Sequence, residues 1–329
     1  MIIWQGLDDI HEELEGSVVT IGVFDGVHRG HRRLINTAVG TAGELDVPSI
    51  LMTFDPHPTA VFAPERTPTL LTTMRERTLL CAELGVDAIL VIDFNRELAG
   101  LTPEEYFVQV LMDRLKARHV VVGENFTFGH NAAGTAETMV ELGQKHGVGV
   151  TIVELLHDGS ERICSSNVRR HLADGEIHQA NDMLGRTYQL TAEVEHGAGR
   201  GGAELGYPTA NMYFPESVAV PADGVYAGWF TVQGEDPITG DMEPGLSYPA
   251  AISVGTNPTF GDNERSVESF IIDRSANLYG RLATVSFVEK IRDMLKFNSV
   301  EELLDNMARD VTRTREVLVD APRPQRQTY

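Results

Sequence analysis

Gly22-Val23-Phe24-Asp25-Gly26-Val27-His28-Arg29-Gly30-His31 is the stretch whose reading decides the fold of the first half of the chain. It closes an apolar run, Val18–Val23, and leads into a helical pattern over residues 30–45. In a strand–turn–helix unit, ligands gather at the carboxyl end of the strand. The new helix adds free backbone N–H groups and the positive end of its dipole, which suits phosphate. His28 and His31 are three apart and can face one ligand across the first helical turn. Gly30 between them lets a triphosphate come close to the backbone. With 11 His and 31 Gly in 329 residues, a chance His-x-Gly-His arises only about 0.03 times.

Working outward, residues 17–155 alternate between apolar β-rich runs and helical patterns. The runs are Val18–Val23, Ser49–Phe54, Ala88–Phe94, His119–Gly123 and Val150–Leu155. They are nearly continuous in apolar residues, as parallel strands buried on both faces should be. Helical patterns occupy about 30–45, 74–84, 103–116 and 135–146. Thr102-Pro103-Glu104-Glu105 is a helix start: a threonine cap, proline in the first turn, then acids. The alternation predicts a doubly wound, Rossmann-like parallel sheet. Residues 165–184 read as two short helices split at Asp174-Gly175.

From Gly185-Arg186 onward the character changes. Strand patterns at Tyr188–Val194, Gly224–Val232, Ala250–Val254, Val267–Ile272 and Thr284–Val288 are punctuated by Gly, Pro and Asp. They predict an antiparallel barrel or sandwich. Ser299-Val300-Glu301-Glu302 opens a C-terminal amphipathic helix with a capping-box pattern, and residues 321–329 read as a loose tail. The expected domains are 1–185 and 186–329.

Composition narrows the function. Hydrophobic residues make up 42% and charged residues 23% of the chain, enough apolar content for packed cores. No run approaches the ~18 apolar residues of a membrane span, and the first residues lack the pattern of a signal peptide. Cys81 and Cys164 are far apart and read as reduced thiols, so the expected compartment is the cytoplasm. A formal charge of −21 disfavours a nucleic-acid partner. Small phosphorylated ligands are still accommodated, because Arg29, Arg32 and Arg33 cluster around the two histidines. None of the four lysines completes a Walker A loop. The expected partners are small molecules, with no nucleic acid and no membrane; self-association is left open.

The second half has its own phosphate signal. Gly197-Ala198-Gly199-Arg200-Gly201-Gly202 fits Gly-x-Gly-x-x-Gly, but no helical pattern follows and Pro208 arrives six residues later. A loop whose amides fold over phosphates fits better than a dinucleotide fingerprint. Gly206-Tyr207-Pro208-Thr209-Ala210-Asn211 follows it, and together the two stretches look like a place where a nucleoside triphosphate is held.

Four stretches, Gly22–His31, Asp55–Pro58, Gly123–Gly129 and Ile163–Arg169, resemble in wording and order the adenylyltransferase half of the prokaryotic bifunctional riboflavin kinase/FMN adenylyltransferase family. The resemblance extends through Gly206–Asn211, Gly255–Gly261 and Val267–Phe270, which are similar to the riboflavin kinase half. It implies a nucleotidyltransferase domain joined to a kinase-type barrel with a C-terminal helix. It implies that riboflavin and ATP give FMN, and that FMN and a second ATP give FAD, with Mg²⁺ as cofactor. His28 and His31 would then be catalytic, with ATP held by Gly22, Phe24, Gly30, Asn125, Arg162, Ser165, Ser166 and Arg169. Asp55, Pro56, His57 and Pro58 would line the FMN side. In the kinase half, Gly199, Arg200, Gly201, Gly202, Pro208, Thr209 and Asn211 would bind ATP, Thr209 and Asn211 would hold the metal, and Glu268 would be the catalytic base.

The two chemistries differ in what they need. A phosphate monoester has its second pKa near ~6 and is already an anion at neutral pH, so adenylylation needs donors rather than a base. The ribityl 5′-hydroxyl is not ionised, so its phosphorylation is helped by a positioned carboxylate. Two positions depart from the family's wording: Cys164 stands where a serine is usual, and Tyr207 where phenylalanine is usual. A rival reading keeps the adenylyltransferase and makes the barrel a non-catalytic flavin- or nucleotide-sensing module. Another places the chain with cytidylyl- or pantetheine adenylyltransferases, which share His-x-Gly-His.

Overall fold

The computed structural model describes residues 1–11, 14–196, 207–255 and 265–324. Contacts divide the chain into two units, Met1–Ser165 and Ser166–Tyr329.

The first unit runs β1 (Ile2–Gln5), β2 (Ser17–Ile21), α1 (Arg29–Leu45), β3 (Ser49–Phe54), α2 (Pro58–Phe62), α3 (Met74–Ala82), β4 (Ala88–Ile92), α4 (Pro103–Glu105), β5 (Ala117–Gly123), β6 (Thr127–Phe128), β7 (Gly134–Thr135), α5 (Ala136–His146), β8 (Gly149–Val153), β9 (His157–Asp158) and β10 (Glu161–Arg162). Its main sheet has the order β1-β4-β3-β2-β5-β8, and every pair in it is parallel. All five residues of β2 and of β4 are buried, because both faces of the sheet are covered. One face packs on α1 and α3 through Leu34, Ile35, Ala38 and Leu80. The other packs on Phe107, Val110 and Leu111 and on Met139 of α5. From β2 the chain passes to β3 on one side, while β5 lies on the other. The carboxyl ends of β2 and β5 therefore flank the topological switch point, where such sheets bind ligands.

The expected helix over 103–116 starts at α4 with a Thr102–Glu105 capping box, but it widens to π-type turns over Tyr106–Arg114. The edge strand β1 and the short helix α2 were not expected from sequence. The first is only four residues long, and the second follows a proline and covers five.

The second unit takes in α6 (Ser165–Asp174), α7 (Ile177–Leu184), β11 (Tyr188–Glu193), β12 (Ala210–Tyr213), β13 (Gly224–Val232), β14 (Ser247–Gly255), β15 (Ser266–Ile271), β16 (Leu282–Arg292) and α8 (Val300–Leu318). Its strands form one antiparallel sheet in the order β11-β16-β13-β14-β15-β12. A bridge between Glu195 and Asn211 joins the two ends of that order, the Glu195 N–H donating to the Asn211 carbonyl over 2.9 Å, so the sheet closes into a barrel. Tyr188, Tyr226 and Phe287 fill its interior. The terminal helix α8, capped by Ser299, lies on β13, β14 and β16 and is fixed to β16 by a two-pronged Arg292–Asp310 ion pair of 2.9 and 2.7 Å. Fold class is thus as the sequence predicts: a Rossmann-like parallel sheet, then an antiparallel barrel with a C-terminal helix. β12 is a strand the sequence reading left out, and β14 begins at Ser247, earlier than the predicted Ala250.

Candidate functional site

The first site is built on the loop between β2 and α1. Phe24, Gly26 and Val27 all have positive φ, at 54, 82 and 38°. For a β-branched residue such as Val27 this is a strained conformation, costing about 1–3 kcal/mol, and it persists only where surroundings impose it. The imposition comes from Asp25. Its carboxylate is buried and accepts from the Leu71 N–H at 3.0 Å, the Thr72 N–H at 3.0 Å and the Thr72 hydroxyl at 3.1 Å. The Gly26 N–H donates to the same Thr72 hydroxyl at 3.0 Å.

The loop delivers His28 to the N-cap of α1, where its Nδ1 accepts the His31 N–H at 3.2 Å. A ring nitrogen that accepts carries no proton, so the neutral His28 imidazole holds its proton on Nε2 and is a donor there. The His28 and His31 rings stack at 3.6 Å, and the Phe24 ring meets His31 edge-on at 5.2 Å. Phe24 itself is fully buried, so its side chain acts by backing His31. Gly30 sits directly under this stack: a Cβ there would lie 3.1 Å from His28 Cε1 and 3.4 Å from the Ile163 carbonyl oxygen. Gly22 bonds to β3 through its N–H and the Met52 carbonyl, at 3.1 Å.

Of the other expected ATP residues, Asn125, Arg162 and Ser165 belong to the first unit, as this loop does. Asn125 is exposed just beyond β5, its Oδ1 folded over Gly123, where a Cβ would come within 3.3 Å. Arg162 is half-buried on β10. Ser165 spends its hydroxyl proton on the Asp25 carbonyl, at 2.8 Å, and so braces the histidine loop. Ser166 is exposed and Arg169 half-buried on α6, which groups with the second unit. Arg29 pairs with Asp158 at 3.1 Å on the surface.

The expected FMN-side residues follow β3. Asp55 and Pro56 are exposed and joined by a cis peptide, and the Asp55 N–H donates to the Ile92 carbonyl at 3.0 Å. His57 caps α2, its Nδ1 accepting from the Thr59 N–H at 3.1 Å, and Pro58 occupies the first turn. By the same proton rule His57 Nε2 is a donor.

In the second unit, register brings the expected kinase residues together. Asn211 on β12 stands directly opposite Glu268 on β15, so the two side chains share one face. Val267, Ser269 and Ile271 point to the buried face, leaving Glu268 and Phe270 on the other. Glu268 accepts from the Ser266 hydroxyl at 3.0 Å. The Asn211 amide nitrogen donates to the Thr209 carbonyl at 3.2 Å, which leaves the amide oxygen on the other branch of the side chain. The Tyr207 and Phe270 rings meet at 4.9 Å, and Pro208 is exposed beside them. Gly199, Arg200, Gly201, Gly202 and Gly206 lie outside the described residues, as do residues 256–261 of the Gly255–Gly261 stretch.

Sequence reasoning missed three residues that hold these sites in shape. Arg77 on α3 lies 3.7 Å from Asp25 and donates to the Thr53 hydroxyl at 3.2 Å. Thr53 in turn donates to the Val23 carbonyl at 2.9 Å. Ser266, as noted, holds Glu268. Arg77 and Thr53 had no motif to announce them, since their partners are remote in sequence. Among the described residues, no group of three or more His, Cys, Asp or Glu is placed to hold a metal ion, and no helix is long and apolar enough to cross a membrane.

Comparison with known proteins agrees with this division. A family model described as FAD synthetase matches residues 10–167, and one described as riboflavin kinase matches residues 184–318. A bifunctional riboflavin kinase/FMN adenylyltransferase of Escherichia coli (strain K12) is 34% identical, covering 92% of this chain and 93% of that protein. The protein of the same description from Bacillus subtilis (strain 168) is 34% identical, with 92% of each covered. Among solved structures, one from Streptococcus pneumoniae described as a macrolide-efflux protein superposes with a TM-score of 0.84 at 31% identity, covering 96% of this chain and 99% of that one.

Proposed function

This chain belongs to the bifunctional riboflavin kinase/FMN adenylyltransferase family, and from that premise we propose how its residues divide the work. The enzyme phosphorylates riboflavin to FMN with ATP, then adenylylates FMN with a second ATP to give FAD and pyrophosphate. The matches over both halves speak for two activities and against a non-catalytic barrel. Both family models that match this chain are of flavin enzymes, and neither points to efflux. Adenylylation belongs to residues 1–185 and phosphorylation to residues 186–329.

In the first site, an FMN phosphate oxygen attacks the α-phosphorus of ATP. The bond to the bridging oxygen breaks and pyrophosphate leaves. His28 Nε2–H, His31, Asn125, Arg162, Ser166 and Arg169 supply donors to the α-phosphate and leaving group, the term that dominates when the nucleophile is already ionised. Gly22 and Gly30 contribute backbone to the ATP side and leave room for the Phe24 and His28 rings, and Phe24 and Ser165 brace the histidines. Asp55, Pro56, His57 and Pro58 form the flavin side.

In the second site, Glu268 accepts the proton of the ribityl 5′-hydroxyl as that oxygen attacks the γ-phosphorus, and ADP leaves. Pro208, Thr209 and Asn211, with Gly199, Arg200, Gly201 and Gly202, hold ATP. The Thr209 hydroxyl and Asn211 amide oxygen are hard oxygen donors, few in number, and so suit Mg²⁺, which keeps several waters and takes its other ligands from phosphates. When bound, Mg²⁺ neutralises charge on those phosphates. The acidic surface and small-molecule substrates fit a cytoplasmic enzyme with no nucleic-acid or membrane partner.

The observation that carries the reading is that each half gathers its own reactive groups: the His28–His31 stack at the switch point, and Asn211 paired across from Glu268. The test is purified protein with riboflavin, ATP and Mg²⁺, followed by chromatography. FMN should appear first and FAD after it, and a chelator should halt both. Turnover unimpaired in chelator contradicts the metal assignment; FMN without FAD contradicts the first site.

A further inference from the structure

The histidine loop and the flavin-side loop are joined by a buried polar relay that takes no part in the chemistry described above. Asp25 in the histidine loop is 2% exposed and Arg77 on α3 is 4% exposed, with 3.7 Å between their charged groups. Thr53, fully buried near the end of β3, accepts from Arg77 at 3.2 Å and donates to the Val23 carbonyl at 2.9 Å. One residue beyond Thr53 and Phe54 the chain becomes Asp55-Pro56-His57-Pro58. Val23 and Asp25 lie three to five residues before His28. The relay therefore spans from the loop that holds ATP to the loop that holds FMN, with α3 as the third support.

Three features make this more than a buried ion pair. Asp25 uses both carboxylate oxygens on the Leu71–Thr72 turn that leads into α3. The backbone it restrains is held at positive φ on both sides, at Phe24 and at Gly26 and Val27. The Asp25 carbonyl also receives the Ser165 hydroxyl, which ties in the chain segment just after Arg162. A loop so held has one geometry, and His28 follows directly from it.

We propose that Asp25, Arg77 and Thr53 are positioning residues that set the register between the ATP-side and FMN-side loops of the adenylyltransferase. The proposal rests on the reading that His28 and His31 hold ATP. In-line attack requires the FMN phosphate and the α-phosphorus to meet at near-contact distance, and an error of about 1 Å costs roughly 10²-fold in rate. Each substrate is still bound by its own loop. Breaking the relay therefore lowers kcat for FAD formation and leaves binding of each substrate nearly intact. The kinase half of the same chain is an internal control for folding.

The experiment uses the full chain with Thr53→Val, which keeps shape and removes the hydroxyl. FMN adenylylation should fall about 10- to 100-fold in kcat, with KM for ATP and for FMN within about threefold and riboflavin phosphorylation unchanged. Arg77→Lys and Arg77→Met form the second arm. Lysine keeps charge opposite Asp25 but cannot fork to Thr53, so it should retain more kcat than methionine. A merely structural role would lower the melting temperature and leave kcat of the folded protein alone. Wild-type kcat in Thr53→Val with kinase activity intact overturns the proposal, as does equal kcat in the two Arg77 variants. His28→Ala run in parallel separates the two ideas. If it loses FAD formation while Thr53→Val does not, the relay is wrong and the site stands. If it keeps FAD formation, the site itself is wrong.

Discussion

Replacing Gly30 with alanine should separate stability from chemistry in the first unit. The added Cβ would lie 3.1 Å from His28 Cε1, 3.2 Å from its Nδ1 and 3.4 Å from the Ile163 carbonyl oxygen. Something must yield by a few tenths of an ångström. The Ile163 carbonyl is backbone, so the His28 ring must move. That ring is 5% exposed, stacked on His31 at 3.6 Å and bonded to the His31 N–H at 3.2 Å. Moving it weakens the cap bond, at a cost of about 0.5–1.5 kcal/mol. Alanine in place of glycine inside a helix contributes about 0.5–1 kcal/mol the other way. The two nearly cancel, so the melting temperature should shift by less than about 4 °C. Activity should not cancel: a displaced donor costs about 10- to 100-fold in kcat for FMN adenylylation. The assay is FAD formation from supplied FMN and FMN formation from riboflavin, on one preparation, with a thermal melt. Unchanged adenylylation, or an equal fall in both activities at unchanged stability, would refute the placing of Gly30 beneath a histidine stack that acts in adenylylation.

Two further predictions concern the fold. Burial holds the His119 imidazole below its ordinary value of 6.5, with its Nε2 against the Thr151 hydroxyl at 2.8 Å. The unfolded chain then binds more protons there than the folded one as pH falls through the unfolded value. This contribution to stability is fully present above that pH and declines toward the depressed folded value. The urea midpoint should drop between about pH 7 and pH 5, and His119→Gln should flatten part of that drop; an identical profile would count against it. In the barrel, a Cβ on Gly228 would meet the Ser286 carbonyl oxygen at 2.1 Å and Ile252 Cδ1 at 2.6 Å, at the point where the β13–β16 register shifts. Gly228→Ala should cost about 1–3 kcal/mol, read as a lower melting temperature; an unchanged melt would mean the bulge is not tight.

Much of the fold was legible because it depended on local pattern. The strands β2 to β5 are apolar runs buried on both faces, and Thr102-Pro103-Glu104-Glu105 announced its helix through capping chemistry. What was not legible depended on distant partners. The strands β1 and β12 are four residues each and have no periodicity to read; β12 exists because β15 and the Glu195 bridge complete its bonds. The start of β14 was hidden by Pro249, which cannot donate but whose carbonyl receives the Ile272 N–H at 2.9 Å. The wide turns over Tyr106–Arg114 have no sequence signature of their own. In the sites, the histidines and Glu268 could be found by motif, whereas Arg77 and Thr53 could not. Arg77 meets Asp25 from 52 positions away in the chain, and only the folded sheet brings them together.

The central claim is that two separate sites act in sequence, and a pair of single substitutions tests it most directly. His28→Ala, given riboflavin and ATP, should accumulate FMN at the wild-type rate while FAD formation falls by about 10²-fold or more, the cost of losing a transition-state donor. Glu268→Gln, given FMN and ATP, should make FAD at the wild-type rate and leave riboflavin unphosphorylated. Loss of both activities in either folded variant, or normal riboflavin phosphorylation by Glu268→Gln, would contradict the account.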